Sequence, residues 1–135
     1  MAKPVFEIDG KTFDSLDGFF EEVGRMLIPG AAWGANLDAF DDILGGGFGT
    51  PSDGFILRWS NSSHSQRALG YAATIRHLEN RLRRCHPDNV SVVKKDLEAA
   101  RRGEGQTLFD VLIEIIRRHG PGGERGSDGV ELECA

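Results

Sequence analysis

Three aspartates within five residues are the first candidates for chemistry in this sequence. Asp38, Asp41 and Asp42 lie in the stretch WGANLDAFDDILGGG, residues 33–47. In a helix, their spacing of i, i+3 and i+4 places the three carboxylates on one side. Like charges at this spacing destabilise a helix by about 0.2–0.5 kcal/mol per pair, and Asp42 would lie toward the C-terminal end, where the helix dipole disfavours negative charge. Helix stability therefore does not explain the crowding.

Four interpretations of these carboxylates are open. The simplest is the solvated polar face of an ordinary helix. Binding of Ca²⁺ or Mg²⁺ is disfavoured, because a helix sets carboxylates in a row and the Asp-x-Asp-x-Asp-Gly loop is missing. Acid–base catalysis would need a pocket that raises the pKa of one carboxyl group. In the fourth, the carboxylates imitate the phosphates of an anionic substrate and dock into a basic active site, where crowding is an advantage.

Other groups that could do chemistry lack the spacing that their chemistry requires. The four histidines show no HxxxH pattern and the two cysteines no CxxC pattern, so no metal site is predicted. Serines surround His64 in residues 60–65, but without Gly-x-Ser-x-Gly they are better interpreted as caps of the next helix. The GGGFG loop lacks the Gly-Lys-Ser/Thr of a phosphate-binding loop and is interpreted as a connector. We therefore predict neither catalytic residues nor a cofactor.

Periodicity predicts the elements that position the aspartates. Apolar residues at helical spacing over 15–27 indicate a first helix, and Asn36 is a good N-cap for a second that ends at the glycines of 45–47. Phe55 to Trp59 (FILRW) is typical of a strand buried on both faces. The remaining prediction comprises a strand over 5–8, helices over 65–84, 90–102 and 107–119, and an edge strand over 130–134. Strands separated by helices favour an α/β fold with a small three-stranded parallel sheet, in one domain over 1–135.

Charge is distributed unevenly along the chain. The formal net charge is −5, and residues 1–60 carry ten Asp and Glu against four Lys and Arg, whereas residues 61–135 carry eleven against twelve. An acidic total argues against a nucleic-acid partner, and acidity concentrated in the first half favours an electropositive one. Without an apolar run of membrane-spanning length or a secretory signal, we expect a cytoplasmic protein with reduced cysteines and no membrane contact.

One run of residues carries a resemblance to a known family. Trp33-Gly34-x-Asn36-Leu37-Asp38-Ala39-x-x-Asp42-x-Leu44, followed by a glycine loop and the strand FILRW, resembles the signature of the barstar family of intracellular ribonuclease inhibitors. The resemblance extends over the whole chain and is strongest over residues 29–59. It implies a small α/β fold whose second helix and preceding loop block the active site of a secreted guanyl-type ribonuclease, protecting the bacterial cell that makes it.

The resemblance also implies roles for particular residues. Asp42 resembles the family's central phosphate-mimicking carboxylate and Asp38 the neighbouring acid, while Gly34 and Asn36 shape the loop and the cap. Glu114 is similar in place to a second acidic contact at the edge of the family's interface. The full predicted partner-binding set is Ala32, Trp33, Gly34, Asn36, Asp38, Asp41, Asp42, Gly46 and Glu114.

The chain departs from the family's pattern at three places. Ala32 and Asp41 stand where an aromatic residue can sit, and the segment 84–105 resembles an insertion. These differences bear on which ribonuclease is the partner. We accordingly expect a non-enzymatic monomer that binds an extracellular-type guanyl ribonuclease one to one. Two rivals remain: an interaction module of the same fold with a non-nuclease partner, and a small hydrolase that uses Asp38 and Asp42.

Overall fold

A computed structural model describes residues 3–135, in which two α-helices separate the first two strands and four separate the second from the third. The strands are β1 (Val5–Asp9), β2 (Ile56–Ser60) and β3 (Glu131–Cys134). The helices are α1 (Leu16–Leu27), α2 (Leu37–Leu44), α3 (Ser62–Ala68), α4 (Tyr71–Arg84), α5 (Val90–Arg101) and α6 (Leu108–Arg118). The order and types confirm the predicted α/β class.

The sheet is parallel throughout, with strand order β1-β2-β3. Trp59 of the central strand is in register with Ile8 on one side and Cys134 on the other. The predicted three-stranded parallel sheet, with the last strand at an edge, is therefore confirmed.

Helices cover one face of the sheet far better than the other. Leu57 and Trp59 are fully buried, whereas the alternate residue Arg58 is partly exposed and its Nε lies 3.0 Å from Glu133 Oε2. Glu7, in register with Arg58, is also exposed. The prediction that β2 is buried on both faces is wrong, because a row of charged residues faces solvent across all three strands.

The long helix predicted over residues 65–84 is two helices. The chain breaks at Leu69 and Gly70, between α3 and α4. Leu69 is buried, and its carbonyl accepts a hydrogen bond from the Phe109 N–H at 3.2 Å, where α6 begins. Leu69 would pack in the core both in one continuous helix and at a break between two helices. The apolar periodicity is therefore the same for both, and the sequence pattern alone did not indicate the interruption.

Aromatic rings fill the centre of the core. Trp59 is fully buried against Phe13, Phe19 and Phe109, with ring centroids 5.2–6.3 Å away. Its Nε1 donates to the Oγ of buried Ser65 at 3.0 Å, which satisfies the indole N–H. The core thereby fixes α1, β2, α3 and α6 relative to one another. No helix within residues 3–135 has both the length and the apolar character needed to cross a bilayer.

Candidate protein-binding face

Helix α2 is fixed at both ends and along its inner side. The Asn36 side chain accepts a hydrogen bond from the Ala39 N–H at 2.8 Å, which caps the first turn. Phe40, Ile43 and Leu44 are each at most 1% exposed and anchor the helix to the core. Gly45 closes the C-terminal end, with its N–H bonded to the carbonyl of Asp42 at 3.1 Å. The remaining helix surface is therefore held as a rigid outer face.

Asp38 and Asp42 project from this outer face. Both are exposed, and neither side chain makes a hydrogen bond or ion pair with any residue between 3 and 135. Asp38 lies in the first turn, where the helix dipole favours a carboxylate, but Asp42 lies in the last turn, where it does not. Two free negative charges are thus presented to solvent in a fixed geometry.

Asp41 is turned away from that pair. Its Oδ1 lies 2.6 Å from Nε2 of His119, which is fully buried, and only 32% of the Asp41 side chain is exposed. His119 Nδ1 lies 2.6 Å from Asp128 Oδ2, so the ring stands between two carboxylates. The expectation that all three aspartates face one way is wrong for Asp41, because a buried basic group competes for its carboxylate.

The loop before α2 is anchored by Trp33. The indole is half-buried and meets the Phe20 ring edge to face at 5.7 Å, while a Cβ placed on Gly24 would lie 2.9 Å from Trp33 Nε1. Trp33 therefore lies against α1, and its neighbours Ala32 and Gly34 are exposed. A Cβ on Gly34 would lie 2.9 Å from Asn36 Nδ2, so a larger residue here would displace the side chain that caps α2.

The loop after α2 presents an aromatic residue that the sequence analysis did not select. Phe48 is 44% exposed and has a φ of 65°, in the left-handed region that residues other than glycine rarely adopt. Gly46, with a φ of 97°, begins this turn, and the buried Thr50 hydroxyl donates to the Ile43 carbonyl, which ties the loop to α2. The sequence signal for this residue was a single phenylalanine among the glycines of residues 45–49.

Glu114 lies on α6, to the side of α2. Its carboxylate accepts a hydrogen bond from Gln106 Nε2 at 2.6 Å and lies 3.9 Å from Arg118. Gln106 lines a cavity of about 200 Å³ together with Leu37, the first residue of α2. Glu114 is therefore engaged by Gln106 and Arg118, on a helix that packs against α2.

Asp9 and His77 have pKa values displaced from their ordinary values. The backbone N–H of Lys11 and the side-chain amide of Asn61 hold the pKa of Asp9 below its usual value. Burial, with Arg81 nearby, lowers the pKa of His77 on α4. Across the part of the chain that the structure describes, no cluster of three or more His, Cys, Asp or Glu residues is arranged to hold a metal ion.

Comparison with known families gives one match. Residues 3–93 match the family described as Barstar (barnase inhibitor). This span contains α2 with the loops on both sides of it and ends inside α5, so Glu114, His119 and Asp128 lie beyond it. The match is shorter than the whole-chain resemblance that the sequence suggested. A search of curated proteins found no significant match.

Proposed function

This chain belongs to the barstar (barnase inhibitor) family, and from that we propose that it binds a secreted guanyl-type ribonuclease one to one and blocks its active site. Family members are inhibitors rather than enzymes. The observation that carries the proposal is the pair of exposed carboxylates of Asp38 and Asp42, which have no side-chain partner among residues 3–135 and lie on a helix anchored by three buried side chains. No cofactor takes part in this function.

Electrostatics supply the inhibitory mechanism. A ribonuclease active site presents cationic groups to RNA phosphates, and carboxylates at a fixed spacing can occupy the same positions. Because the cap and the core already hold α2, little conformational entropy is lost on binding. The unfavourable position of Asp42 near the helix C-terminus is relieved when a cation of the enzyme approaches it.

The surrounding residues divide into contacts and supports. Ala32 and Gly34 are exposed beside the acidic face, and Gly46 with Phe48 forms its other rim. Glu114 adds a peripheral charge from α6. Trp33 and Asn36 hold the loop and the helix start. In this arrangement Asp42 is the central contact and Asp38 its neighbour.

We place the inhibitor in the cytoplasm of the bacterial cell that makes the nuclease. Cys85 and Cys134 are both free thiols, a state that a reducing compartment maintains.

A second candidate function is an interaction module with a non-nuclease partner. It is favoured by Ala32 and Asp41, because neither supplies aromatic area at positions that can be aromatic in the family. A hydrolase is less favoured, since Asp38 and Asp42 are both exposed whereas a general acid needs a pocket.

The test of the proposal is inhibition by single-residue variants. Stoichiometric wild-type protein should abolish RNA cleavage by at least one member of a panel of secreted guanyl-type ribonucleases. Asp42→Ala should raise Kd by about thirtyfold or more, equivalent to about 2 kcal/mol, since central desolvated contacts dominate an interface. Asp38→Ala and Glu114→Ala should cost clearly less.

The matched control is Glu98→Ala, which removes an exposed acid from α5 and should leave Kd unchanged. Equal small losses in the three site variants would contradict the assignment of Asp42. If no ribonuclease is inhibited, the non-nuclease partner becomes the better proposal.

A further inference from the structure

His119 has an environment that none of the three other histidines shares. It is 0% exposed, follows α6, and contacts a carboxylate at each ring nitrogen, Asp41 at 2.6 Å and Asp128 at 2.6 Å. Arg125 Nε lies 3.4 Å from the same oxygen of Asp128. We refer to Asp41, His119, Arg125 and Asp128 as the His119 brace.

Hydrogen-bond counting shows how both contacts of the ring can be satisfied. A neutral imidazole has one N–H donor, and an ionised carboxylate can only accept. Two ionised carboxylates facing two ring nitrogens are both satisfied only when both nitrogens donate, that is, when the ring is an imidazolium. With the guanidinium of Arg125, two positive charges then balance two negative ones in a partly buried cluster.

The brace connects the last turns of α2 to distant parts of the chain. Asp41 lies on α2, 78 residues before His119, and Asp128 lies just before β3. The His119 carbonyl accepts from the Val130 N–H at 2.9 Å, which ties the ring's own backbone to the residue that precedes β3. A Cβ on Gly45 would lie 3.1 Å from Arg125 Nη2, so the cation also stands beside the C-terminal end of α2.

We propose that His119 is a positioning residue for the acidic face: the brace fixes the orientation of α2, and Asp41 supports the helix instead of contacting the partner. The ion pair with His119 neutralises Asp41, which removes most of the repulsion between it and the neighbouring Asp38 and Asp42. Arg125 adds a positive charge beside the C-terminal end of α2, where the helix dipole favours positive charge. This explains how a short helix accommodates three carboxylates.

The brace itself is independent of the partner, while its effect on inhibition rests on the proposed function. The first measurements therefore use the free full-length protein. The ¹⁵N signals of the His119 ring should show both nitrogens protonated at pH 8, where an ordinary imidazole is mostly neutral. In Asp41→Asn, which preserves shape but not charge, hydrogen exchange of the α2 amides should accelerate about tenfold or more, because a charge-assisted hydrogen bond has been lost.

The matched control is His64→Gln. His64 Nε2 lies 2.6 Å from Asp14 Oδ1, so it forms a histidine–aspartate pair of the same length, but the pair is exposed and joins α3 to the segment before α1. Its removal should leave α2 exchange unchanged. His119→Gln serves as a second brace variant if it folds, and Asp128→Asn replaces it if it does not.

Binding then separates a support from a contact. With a ribonuclease that the wild type inhibits, Asp41→Asn should raise Kd only together with faster α2 exchange. A raised Kd with unchanged exchange would make Asp41 a direct contact and overturn the proposal, as would a neutral His119 ring in the wild type. If no ribonuclease binds, the proposed function fails, but hydrogen exchange and NMR still test whether the His119 brace fixes α2.

Discussion

Two residues with the same sequence signal can have different roles, and Asp41 and Asp42 show how. Both are acidic, adjacent and on the same short helix. Asp42 is exposed without a described side-chain partner, whereas Asp41 faces a buried histidine. The difference is decided by what packs against each side of α2. The sequence of α2 alone would therefore treat the two carboxylates as equivalent. We assign Asp42 to partner binding and Asp41 to support of the helix.

Phe48 allows a prediction about backbone strain. Its φ of 65° is strained for any residue with a Cβ. Phe48→Gly should therefore be more stable than Phe48→Ala by about 1 kcal/mol, since both variants lose the ring and only glycine relieves the strain. Urea denaturation of the two variants measures the difference. An alanine variant as stable as the glycine variant would show that the turn is relaxed.

At the scale of elements, α4 and α5 form a unit with an apolar cluster of its own. Leu78 of α4 packs with Val93, Leu97 and Ala100 of α5, apart from the main core. These helices include much of the segment 84–105 that resembles an insertion, and the family match ends within α5. This second cluster gives α4 and α5 a packing surface of their own.

His77 on α4 makes the stability of this unit depend on pH. It lines the cavity of about 200 Å³ that extends toward α2, and burial holds its pKa below the ordinary value of 6.5. The unfolded chain therefore binds a proton more readily than the folded protein. The stability due to neutral His77 is complete above pH 6.5 and is lost as pH falls through the lower folded pKa.

We expect the free energy of unfolding of the wild type to fall between pH 7 and pH 5 by more than that of His77→Gln. Urea unfolding at closely spaced pH values provides the comparison, and His86→Gln, at an exposed histidine, is the control. Parallel curves for wild type and His77→Gln would contradict the prediction.

At the scale of the whole molecule, the acidic first half should steer association. Residues 1–60 have a net charge of −6 from four basic and ten acidic residues, and α2 lies within them. The association rate with a basic ribonuclease should fall about tenfold or more between low and high salt, because opposite charges are screened beyond the Debye length. Stopped-flow mixing at several salt concentrations measures it.

The dissociation rate should change much less than the association rate, since close contacts are screened weakly. Glu98→Gln, which removes a negative charge from exposed α5, should keep nearly the same salt dependence. An association rate independent of salt would argue against an electrostatic inhibitor.

We propose that the chain is one domain over residues 1–135, and the main core supports this. That core runs from Ile8 to Val130 and includes Leu112 and Ile116 of α6. The family match ends at residue 93, yet β3 completes the sheet from outside it. The residues beyond the match thus contribute the third strand and part of the core, as well as His119, Arg125 and Asp128 of the brace.

The sequence by itself determined the acidic helix and the order of the strands and most of the helices. Apolar spacing and an asparagine cap specify α2, because both act between residues a few positions apart. The order of strands and helices likewise determined the parallel sheet, since parallel strands require crossover connections.

Only the tertiary structure decided which carboxylates are free. His119 reaches Asp41 across 78 residues of chain, and no local pattern records a contact of that separation. The same holds for the break at Leu69 and Gly70 and for the solvent-exposed face of the sheet, because each depends on what distant elements pack against. Sequence periodicity shows which side of a helix or strand is apolar, whereas tertiary packing determines which residues contact that side.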